Sequence, residues 1–278
     1  MPFPAPDLKL IAVDMDGTLL DGEGRIPEAL WPLLDRLGER GIRFAPASGR
    51  QLATLQRAFA GHLDDMVFIA ENGGYVVHGD HEISSTSMDA GFTAALLARL
   101  RAMVADGAAL GMVLCGKASA YIEQTDPRFV AEALKYYAKL ETVADLLAVD
   151  DQVLKVAIYD FADAEKTAPA LEDLRVSHQV VVSGHHWIDV MNPDVNKGVA
   201  LERLQDALGV SRAQTAAFGD YLNDLELLDA AGLSFAMENA HPEVIERARF
   251  RAPANTDLGV VATIHRLLDG PDAAVPRG

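Results

Sequence analysis

Short apolar segments alternate with helical patterns near the start of this chain, and that alternation limits its fold more than any other feature. Strands are predicted at residues 8–13, 42–46 and 66–70, because each is a short apolar run bounded by polar or turn residues. Helices are predicted at 28–40 and 51–60. Strands that alternate with helices form a parallel sheet covered by helices on both faces. The sequence therefore predicts a doubly wound α/β core.

The pattern changes in the middle of the chain, where hairpins replace single strands between helices. Paired strands are predicted at 110–115 with 119–124 and at 176–183 with 186–191. This region is also predicted to contain a strand at 153–159 and helices at 89–105, 128–139 and 163–174. Because hairpins packed with helices indicate an α+β unit, residues 83–187 are predicted to be an inserted domain.

The strand–helix alternation returns in the last third of the chain. The predicted strands are 215–218 and 233–237, and the predicted helices are 197–208, 242–248 and 257–269. Gly270 begins a segment with two prolines that is predicted to be a loose tail. Residues 1–82 and 188–278 are therefore predicted to form one Rossmann-like core, which the inserted domain interrupts.

The net charge excludes whole classes of partner. The 278 residues include 24 Lys and Arg against 41 Asp and Glu, for a formal charge of −17. Nucleic-acid binders need a basic patch, and attachment to a membrane surface needs a polybasic segment. The densest basic run, Arg247, Arg249 and Arg251, has the period-2 spacing of one face of a short strand. We therefore expect neither partner, and an anionic substrate would require a metal ion or a few placed cations.

Cysteine content and hydropathy point to the cytoplasm. The single cysteine, Cys115, allows no intrachain disulfide, and its apolar surroundings favour a small buried residue over a nucleophile. The N-terminus lacks the basic region and apolar core of a signal peptide. The longest apolar stretches, such as 107–116, are too short to span a bilayer.

Two pairs of acidic residues follow predicted strands. Asp14 and Asp16 come directly after the first strand and point to the same side if the chain stays extended. Asp220 and Asp224 follow the strand at 215–218 and lie one helical turn apart. Open α/β sheets bind ligands at these strand ends, and Mg²⁺ takes oxygen ligands from several loops. A solvated turn or a helix cap explains a single acid, but it does not explain the whole group.

Two polar segments open predicted helices and are candidates for anion binding. Ser48, Gly49 and Arg50 follow the second strand, and a hydroxyl with backbone N–H groups at a helix start binds anions. An ordinary serine N-cap explains the same residues equally well. Lys197 lies in the first turn of a helix, where the helix dipole disfavours a cation. A phosphate or carboxylate partner is one explanation for this lysine, and a solvated surface position is the other.

Four of these segments together resemble the motifs of the haloacid dehalogenase-like phosphohydrolase superfamily. They stand in the family's order and are Asp14-Met-Asp-Gly-Thr, Ala47-Ser-Gly-Arg, Asn196-Lys-Gly and Gly219-Asp-Tyr-Leu-Asn-Asp. The insertion resembles the large α/β cap of the Cof-type branch, and two further segments resemble that branch: Glu71-Asn-Gly-Gly-Tyr and Ala236-Met-Glu-Asn-Ala. The resemblance covers essentially the whole chain.

The resemblance implies a role for each matching residue. Asp14 would be the nucleophile that forms an aspartyl phosphate, and Asp16 would act as general acid and then general base. Mg²⁺ would be held by Asp14, Asp220 and Asp224, together with the backbone carbonyl of Asp16. The residues expected to bind the phosphate or the rest of the substrate are Ser48, Gly49, Arg50, Asn72, Lys197 and Asn223.

Four further residues are weaker candidates. His185, His186 and Trp187 lie in a predicted turn of the insertion and are candidates to contact the leaving group. A solvated turn explains the adjacent histidines more simply, and a tryptophan more often packs than binds. Asn239 is a candidate to support the site from the segment that also carries Glu238.

The resemblance implies a Mg²⁺-dependent phosphatase of small phosphorylated metabolites, with sugar phosphates or similar phosphomonoesters as substrates. A phosphomutase of the phosphomannomutase type is an alternative, because such mutases share the paired aspartates and a similar cap. A non-catalytic member that senses a phosphorylated ligand is another, although all three aspartates that such a member is expected to lose are present. The protein is expected to be a monomer or a small homo-oligomer.

Overall fold

The computed structural model of the protein describes residues 7–63 and 66–270. These residues form two compact units. The first unit joins the residues up to Ser84 to those from Asn196 onward, and the second consists of Ser85–Val195. The predicted tail after Gly270 lies outside the described residues. None of the helices in the described ranges is both long enough and apolar enough to cross a membrane.

Both units combine strands and helices. The strands, in chain order, are β1 (Leu10–Asp14), β2 (Arg43–Ala47), β3 (Val67–Ala70), β4 (Tyr75–His78), β5 (His81–Ser85), β6 (Leu110–Gly116), β7 (Ala120–Ile122), β8 (Leu140–Thr142), β9 (Val153–Asp160), β10 (Gln179–Gly184), β11 (Trp187–Met191), β12 (Thr215–Gly219), β13 (Leu233–Met237) and β14 (Phe250–Ala252). The α-helices are α1 (Leu30–Glu39), α2 (Leu52–Ala58), α3 (Ala90–Ala105), α4 (Pro127–Tyr136), α5 (Ala164–Thr167), α6 (Lys197–Leu208), α7 (Leu225–Asp229), α8 (Pro242–Arg247) and α9 (Gly259–Asp269).

The sheet of the first unit has the strand order β14-β13-β12-β1-β2-β3-β4-β5. The strands from β14 to β3 run parallel, and β4 joins β3 antiparallel. The chain leaves β1 towards β2 and β3, and it returns later to β12 on the other side of β1. The strand order therefore reverses between β1 and β12, where sheets of this kind bind ligands at the carboxyl ends of the strands. The predicted α/β fold with a parallel core is confirmed.

Apolar residues in strand and helix patterns build this unit. All five residues of β1 are buried, as expected for a central parallel strand covered on both faces. In α1, Leu30, Leu33, Leu34 and Leu37 recur at helical spacing, and all four join the core cluster that also contains the strands. The result is a tightly packed sheet that holds its strand ends in fixed positions.

The second unit is built on a separate sheet with the strand order β10-β11-β9-β6-β7-β8. Its neighbouring strands pair antiparallel except for β7 and β8, which are parallel. Val156 and Ile158 of β9 join one apolar cluster, while Ala157 and Tyr159 join another. Because successive residues of a strand point to opposite faces, the sheet has an apolar layer on each face.

The second boundary of the inserted segment differs from the prediction. The insertion is predicted to end at residue 187, whereas the second unit of the structure ends at Val195. The reason is β11, which pairs with β9 and β10 and so belongs wholly to the second sheet. The chain returns to the first unit immediately before α6.

Local departures have recognisable causes. The helix predicted at 163–174 is a short α-helix, α5, followed by 3₁₀-helix at Ala168–Val176, and Pro169 explains the break because it cannot donate an intrahelical hydrogen bond. Arg247 is not on a strand but ends α8, where it forms an ion pair with Asp229. Strands β4, β5 and β8 were not predicted.

Candidate active site

Three carboxylates and one ammonium meet at the strand ends of the first unit. Asp14, Asp220 and Asp224 each offer an oxygen, and these oxygens all lie within 4.8 Å of one another. The Lys197 Nζ donates to Asp14 Oδ1 at 2.5 Å and to Asp224 Oδ1 at 2.7 Å. The lysine is only 1% exposed. Of the two explanations for Lys197, the structure therefore favours a carboxylate partner over a solvated surface position.

Each member of this cluster is placed by a strand end or a helix start. Asp14 is the last residue of β1, and Asp220 directly follows β12, the strand that pairs with β1. Lys197 is the first residue of α6, which the Asn196 side chain caps by accepting from the Val199 backbone N–H. The sheet and the capped helix therefore bring together residues that are far apart in sequence.

Asp224 is fully buried, and its second oxygen fixes the loop after β12. Its Oδ2 accepts from the backbone N–H groups of Asp220 at 3.0 Å and Tyr221 at 3.2 Å. Gly219 makes this turn possible, because a Cβ atom there would lie 2.5 Å from the Asp224 Cβ. Asp224 thus holds both the lysine and the loop that carries Asp220.

Burial and the charges of neighbouring groups shift the pKa values of Asp14, Asp220 and Lys197. Burial raises the pKa of Asp14 well above its usual value, and the nearby Asp224 raises it further, while Lys197 opposes both effects. Burial also raises the pKa of Asp220, against a hydrogen bond from Thr18 that lowers it. For Lys197, burial alone would lower the pKa, but Asp14 and Asp224 reverse the effect and raise it. When all four groups are ionised, two negative charges are left uncompensated.

The loop after β1 is tied to the second acidic segment. The Thr18 hydroxyl donates to Asp220 Oδ1 at 2.7 Å. Gly17 has a φ of 82°, and a Cβ atom at this position would overlap the Asp220 carboxylate. The Asn239 side chain donates to the Gly17 carbonyl at 2.8 Å, so this candidate supports the loop directly. Sequence reasoning missed the role of Thr18, since nothing local indicates a partner 202 residues away.

Asp16 lies outside the buried cluster. Its carboxylate accepts two hydrogen bonds from the Arg50 guanidinium, from Nε at 3.0 Å and from Nη2 at 2.5 Å. The Asp16 side chain is 63% exposed and the Arg50 side chain 32%. Arg50 was predicted to contact substrate, and the structure shows it paired with the predicted acid–base residue.

The remaining predicted phosphate and substrate residues lie close to one another. Ser48 Oγ accepts from the Arg50 backbone N–H at 3.2 Å, and the Ser48 carbonyl accepts from the Asn72 N–H at 2.9 Å. Asn72 has a φ of 55°, and its side chain accepts from the Asn223 amide at 3.4 Å. A Cβ atom at Gly49 would lie 3.0 Å from the Asn72 amide nitrogen, so the glycine allows this close approach.

The candidates in the second unit have structural partners there. Trp187 is buried and packs edge-on against Tyr136 and Tyr137. His186 Nδ1 lies 2.8 Å from the Asp160 carbonyl oxygen, and the His185 ring lies edge-on to His186. Cys115 is buried, as expected. These contacts explain the residues through packing and hydrogen bonding within the second unit.

The donor set of the cluster fits a hard divalent cation. Carboxylate oxygens from two loops are the ligands that Mg²⁺ takes, and they converge here within one cation's reach. Burial raises the pKa of Asp14 and of Asp220, and the neighbouring Asp224 adds to both shifts, so a bound cation would oppose the effects that disfavour the ionised acids. The carboxylates are therefore compatible with a divalent metal site.

Comparison with known proteins shows the family of the chain. A sequence model of haloacid dehalogenase-like hydrolases matches residues 11–264. The 5-amino-6-(5-phospho-D-ribitylamino)uracil phosphatases YbjI of Escherichia coli and YwtE of Bacillus subtilis are 33% and 31% identical to this chain, over 94% and 95% of its length and 96% and 99% of theirs. The crystal structure of a haloacid dehalogenase-like hydrolase from Bacteroides thetaiotaomicron is 26% identical and aligns with a TM-score of 0.82, covering 94% of this chain and 99% of that one.

Proposed function

This chain belongs to the haloacid dehalogenase-like hydrolases, in their Cof-type branch, and from that premise we propose that it is a magnesium-dependent phosphatase of small phosphorylated metabolites. Its relatives are named phosphatases, and the chain is a phosphoric monoester hydrolase. The observation that carries the finer proposal is the cluster of Asp14, Asp220 and Asp224, of which Asp14 and Asp224 are buried and paired with Lys197.

The first chemical step uses the two aspartates of the first motif. An Asp14 carboxylate oxygen attacks phosphorus, and the bond between phosphorus and the leaving oxygen breaks. The bonding electrons pass to the leaving oxygen, which takes a proton from the Asp16 carboxyl group. The products of this step are an aspartyl phosphate on Asp14, a free alcohol and an Asp16 carboxylate.

The second step returns the enzyme to its starting state. The Asp16 carboxylate takes a proton from a water molecule as the water oxygen attacks phosphorus. The bond between phosphorus and Asp14 breaks, which leaves inorganic phosphate, the Asp14 carboxylate and a protonated Asp16. Because the nucleophile is a carboxylate, the intermediate is an acyl phosphate, which water hydrolyses readily.

Charge around the phosphoryl group is the main catalytic requirement, because the transition state spreads negative charge over its oxygens. In this proposal Lys197, the Ser48 hydroxyl and the Gly49 amide bind those oxygens, and Asn223 and Asn72 line the same end of the sheet. The Asp14 and Asp220 side chains would hold Mg²⁺, together with the Asp16 carbonyl and Asp224. When bound, the cation supplies positive charge to the phosphoryl oxygens and to the clustered carboxylates.

Sugar phosphates and similar phosphomonoesters are the proposed substrate class. Relatives that are 33% and 31% identical are named as phosphatases of a phosphorylated ribitylamino uracil, which makes that compound the first substrate to test. The proposal also places the enzyme in the cytoplasm, in agreement with its single cysteine.

A phosphate-release screen over phosphorylated metabolites tests the proposal, with Mg²⁺ or EDTA and with Asp14→Asn as a matched inactive control. We expect release that requires both the metal and Asp14. Lack of release from every phosphomonoester in the screen would overturn the phosphatase proposal. Conversion of a hexose 6-phosphate to its 1-phosphate without release would indicate the mutase instead, and binding without either reaction would indicate the non-catalytic alternative.

A further inference from the structure

Arg50 and Asp16 form an ion pair in the described site that joins a predicted catalytic side chain to a partly exposed cation. Both carboxylate oxygens of Asp16 are engaged, at 3.0 Å by Nε and 2.5 Å by Nη2 of Arg50. This two-point contact fixes the plane of the carboxylate as well as its position. A single-point contact would leave the carboxylate free to rotate.

The backbone of Arg50 is itself anchored. Its N–H donates to Ser48 Oγ at 3.2 Å, and its carbonyl accepts from the Glu71 N–H at 3.1 Å. The strand before it, β2, pairs with β1 so that Ala47 stands opposite Asp14. Arg50 therefore projects from a fixed point beside the nucleophile's strand.

Asp16 needs such a support, because its own surroundings supply little. Its side chain is 63% exposed, whereas Asp14 and Asp224 are buried in a packed core. The following residue, Gly17, is held through its carbonyl by Asn239, which fixes the backbone but not the Asp16 side chain. An exposed carboxylate samples several rotamers, and proton transfer requires it within hydrogen-bond reach of the leaving oxygen.

We infer that Arg50 is a positioning residue, whose guanidinium orients the Asp16 carboxyl group for proton transfer to the leaving oxygen. This inference rests on the proposed function and deepens it. It differs from the expectation that Arg50 binds substrate, because the contact that matters is with Asp16. The proton itself passes from Asp16 to the leaving oxygen as the phosphorus–oxygen bond breaks, and Arg50 neither gains nor loses a proton.

The two roles predict different dependence on the leaving group. A poor leaving group such as an alkoxide needs the proton from Asp16, whereas p-nitrophenolate leaves with little help. Loss of Asp16 positioning therefore harms alkyl phosphates selectively. Loss of a substrate contact instead raises KM for all phosphomonoesters that make it.

The experiment measures kcat and KM for Arg50→Ala with p-nitrophenyl phosphate and with the alkyl phosphomonoester that the wild type turns over fastest. The ratio kcat/KM reports only steps up to formation of the aspartyl phosphate, so the later role of Asp16 as a base does not enter. We expect kcat/KM to fall about thirtyfold for the alkyl phosphate and less than about threefold for p-nitrophenyl phosphate, with KM nearly unchanged.

Three controls make the result specific. Arg57→Ala changes an exposed arginine of α2 and should leave both substrates unaffected. Arg50→Lys restores one hydrogen bond but not the two-point contact, so its activity should lie between wild type and Arg50→Ala. Asp16→Asn should show the same leaving-group selectivity as Arg50→Ala. Adding Arg50→Ala to Asp16→Asn should lower kcat/KM little further, because both changes remove the same interaction.

An equal loss for both substrates, or a rise in KM with constant kcat, would overturn the inference and assign Arg50 to substrate binding. Additive effects in the double variant would overturn it as well. If the wild type itself hydrolyses neither substrate, the proposed function fails, and that outcome is distinct from any result on Arg50.

Discussion

In the described part of the chain, two buried lysines contact aspartates, one in each unit, and the two sites differ in charge balance. In the first unit, Lys197 is 1% exposed and donates to two aspartates at 2.5 and 2.7 Å, with a third carboxylate nearby. In the second unit, Lys155 is 4% exposed and its Nζ lies 3.6 Å from the carboxylate of Asp189, which is itself 5% exposed. The first cluster has more carboxylates than cations, and the second pairs one with one.

The difference indicates what each contact is for. A balanced buried pair is compensated within the protein, and removing one member leaves the charge of the other less compensated in a buried place. A cluster with excess negative charge is relieved by a cation or a proton taken up from outside. Burial alone therefore does not distinguish a functional site from a structural pair, whereas the local charge balance does.

The largest expected effect comes from making the same isosteric change, Asp to Asn, in both contacts, which tests the distinction between them. Asp14→Asn removes the proposed nucleophile, so phosphatase activity should fall by about a thousandfold or more. Asp189→Asn should leave the activity of the folded enzyme within about threefold of wild type. Phosphate release under saturating Mg²⁺ is the measurement, and comparable losses in the two variants would contradict the distinction.

The reverse should hold for stability. Asp189→Asn removes the negative charge that lies 3.6 Å from the Lys155 Nζ. The second unit should therefore lose about 3 kcal/mol of unfolding free energy. Urea unfolding in a Trp31→Phe background reports it, because Trp187 is then the only tryptophan and lies in the second unit. The double variant Lys155→Met/Asp189→Leu should recover most of the loss, since it removes both charges. An unchanged midpoint in Asp189→Asn would mean that the pair is not structural.

Mg²⁺ binding should stabilise the unit that contains Lys197 and not the unit that contains Lys155, and this difference is smaller than the previous two. Mg²⁺ at ten times its dissociation constant should stabilise the first unit by about 1.4 kcal/mol, because it binds only the folded cluster. Hydrogen exchange at the amides of β1 and β12 measures the effect, and amides of β9 and β11 provide the internal reference. The response should disappear in Asp220→Asn and persist in Asp189→Asn. Equal protection of both sheets would contradict the proposed metal site.

The smallest expected effect is a pH dependence of the metal-free protein. The pKa of Asp14 and of Asp220 is raised in the folded state, mainly by burial, so the folded protein holds these protons more tightly than the unfolded chain does. Stability is therefore fully present below the unfolded pKa and is lost as the pH rises through the folded pKa. Unfolding curves in EDTA across this range should show the decline, and Asp14→Asn should flatten it. Carboxylates with a lowered pKa elsewhere, such as Asp160, act in the opposite direction, so the sign is read from the difference between the wild type and Asp14→Asn. A stability of the wild type that rises with pH relative to the variant would disprove the sign.

Local patterns predicted the elements that present the site, because strand and helix signals are local. The predicted helix at 197–208 coincides with α6, and the predicted strand at 233–237 coincides with β13. Three short strands were missed, and β8 shows the reason. Its sequence is Leu-Glu-Thr and none of the three residues is buried, so the run of apolar residues that identifies a strand is absent there.

The side-chain contacts within the site could not be predicted from the sequence. Asp16 and Arg50 are separated by 34 residues, and Asn72 and Asn223 by 151. Such pairs depend on which strands become neighbours, and no short-range pattern contains that information. Motif order indicated which residues meet, whereas the structure shows which atoms touch.

The split of the first unit also constrains how the chain folds. Asp14 and Lys197 are 183 residues apart, and β1 cannot pair with β12 until residues beyond 215 have been made. Long-range pairing of this kind slows folding. The second unit is one continuous segment, so during synthesis on the ribosome we expect it to become native while β1 still has an open edge. The proposed nucleophile, Asp14, is thus among the first residues to be translated and among the last to reach its native surroundings.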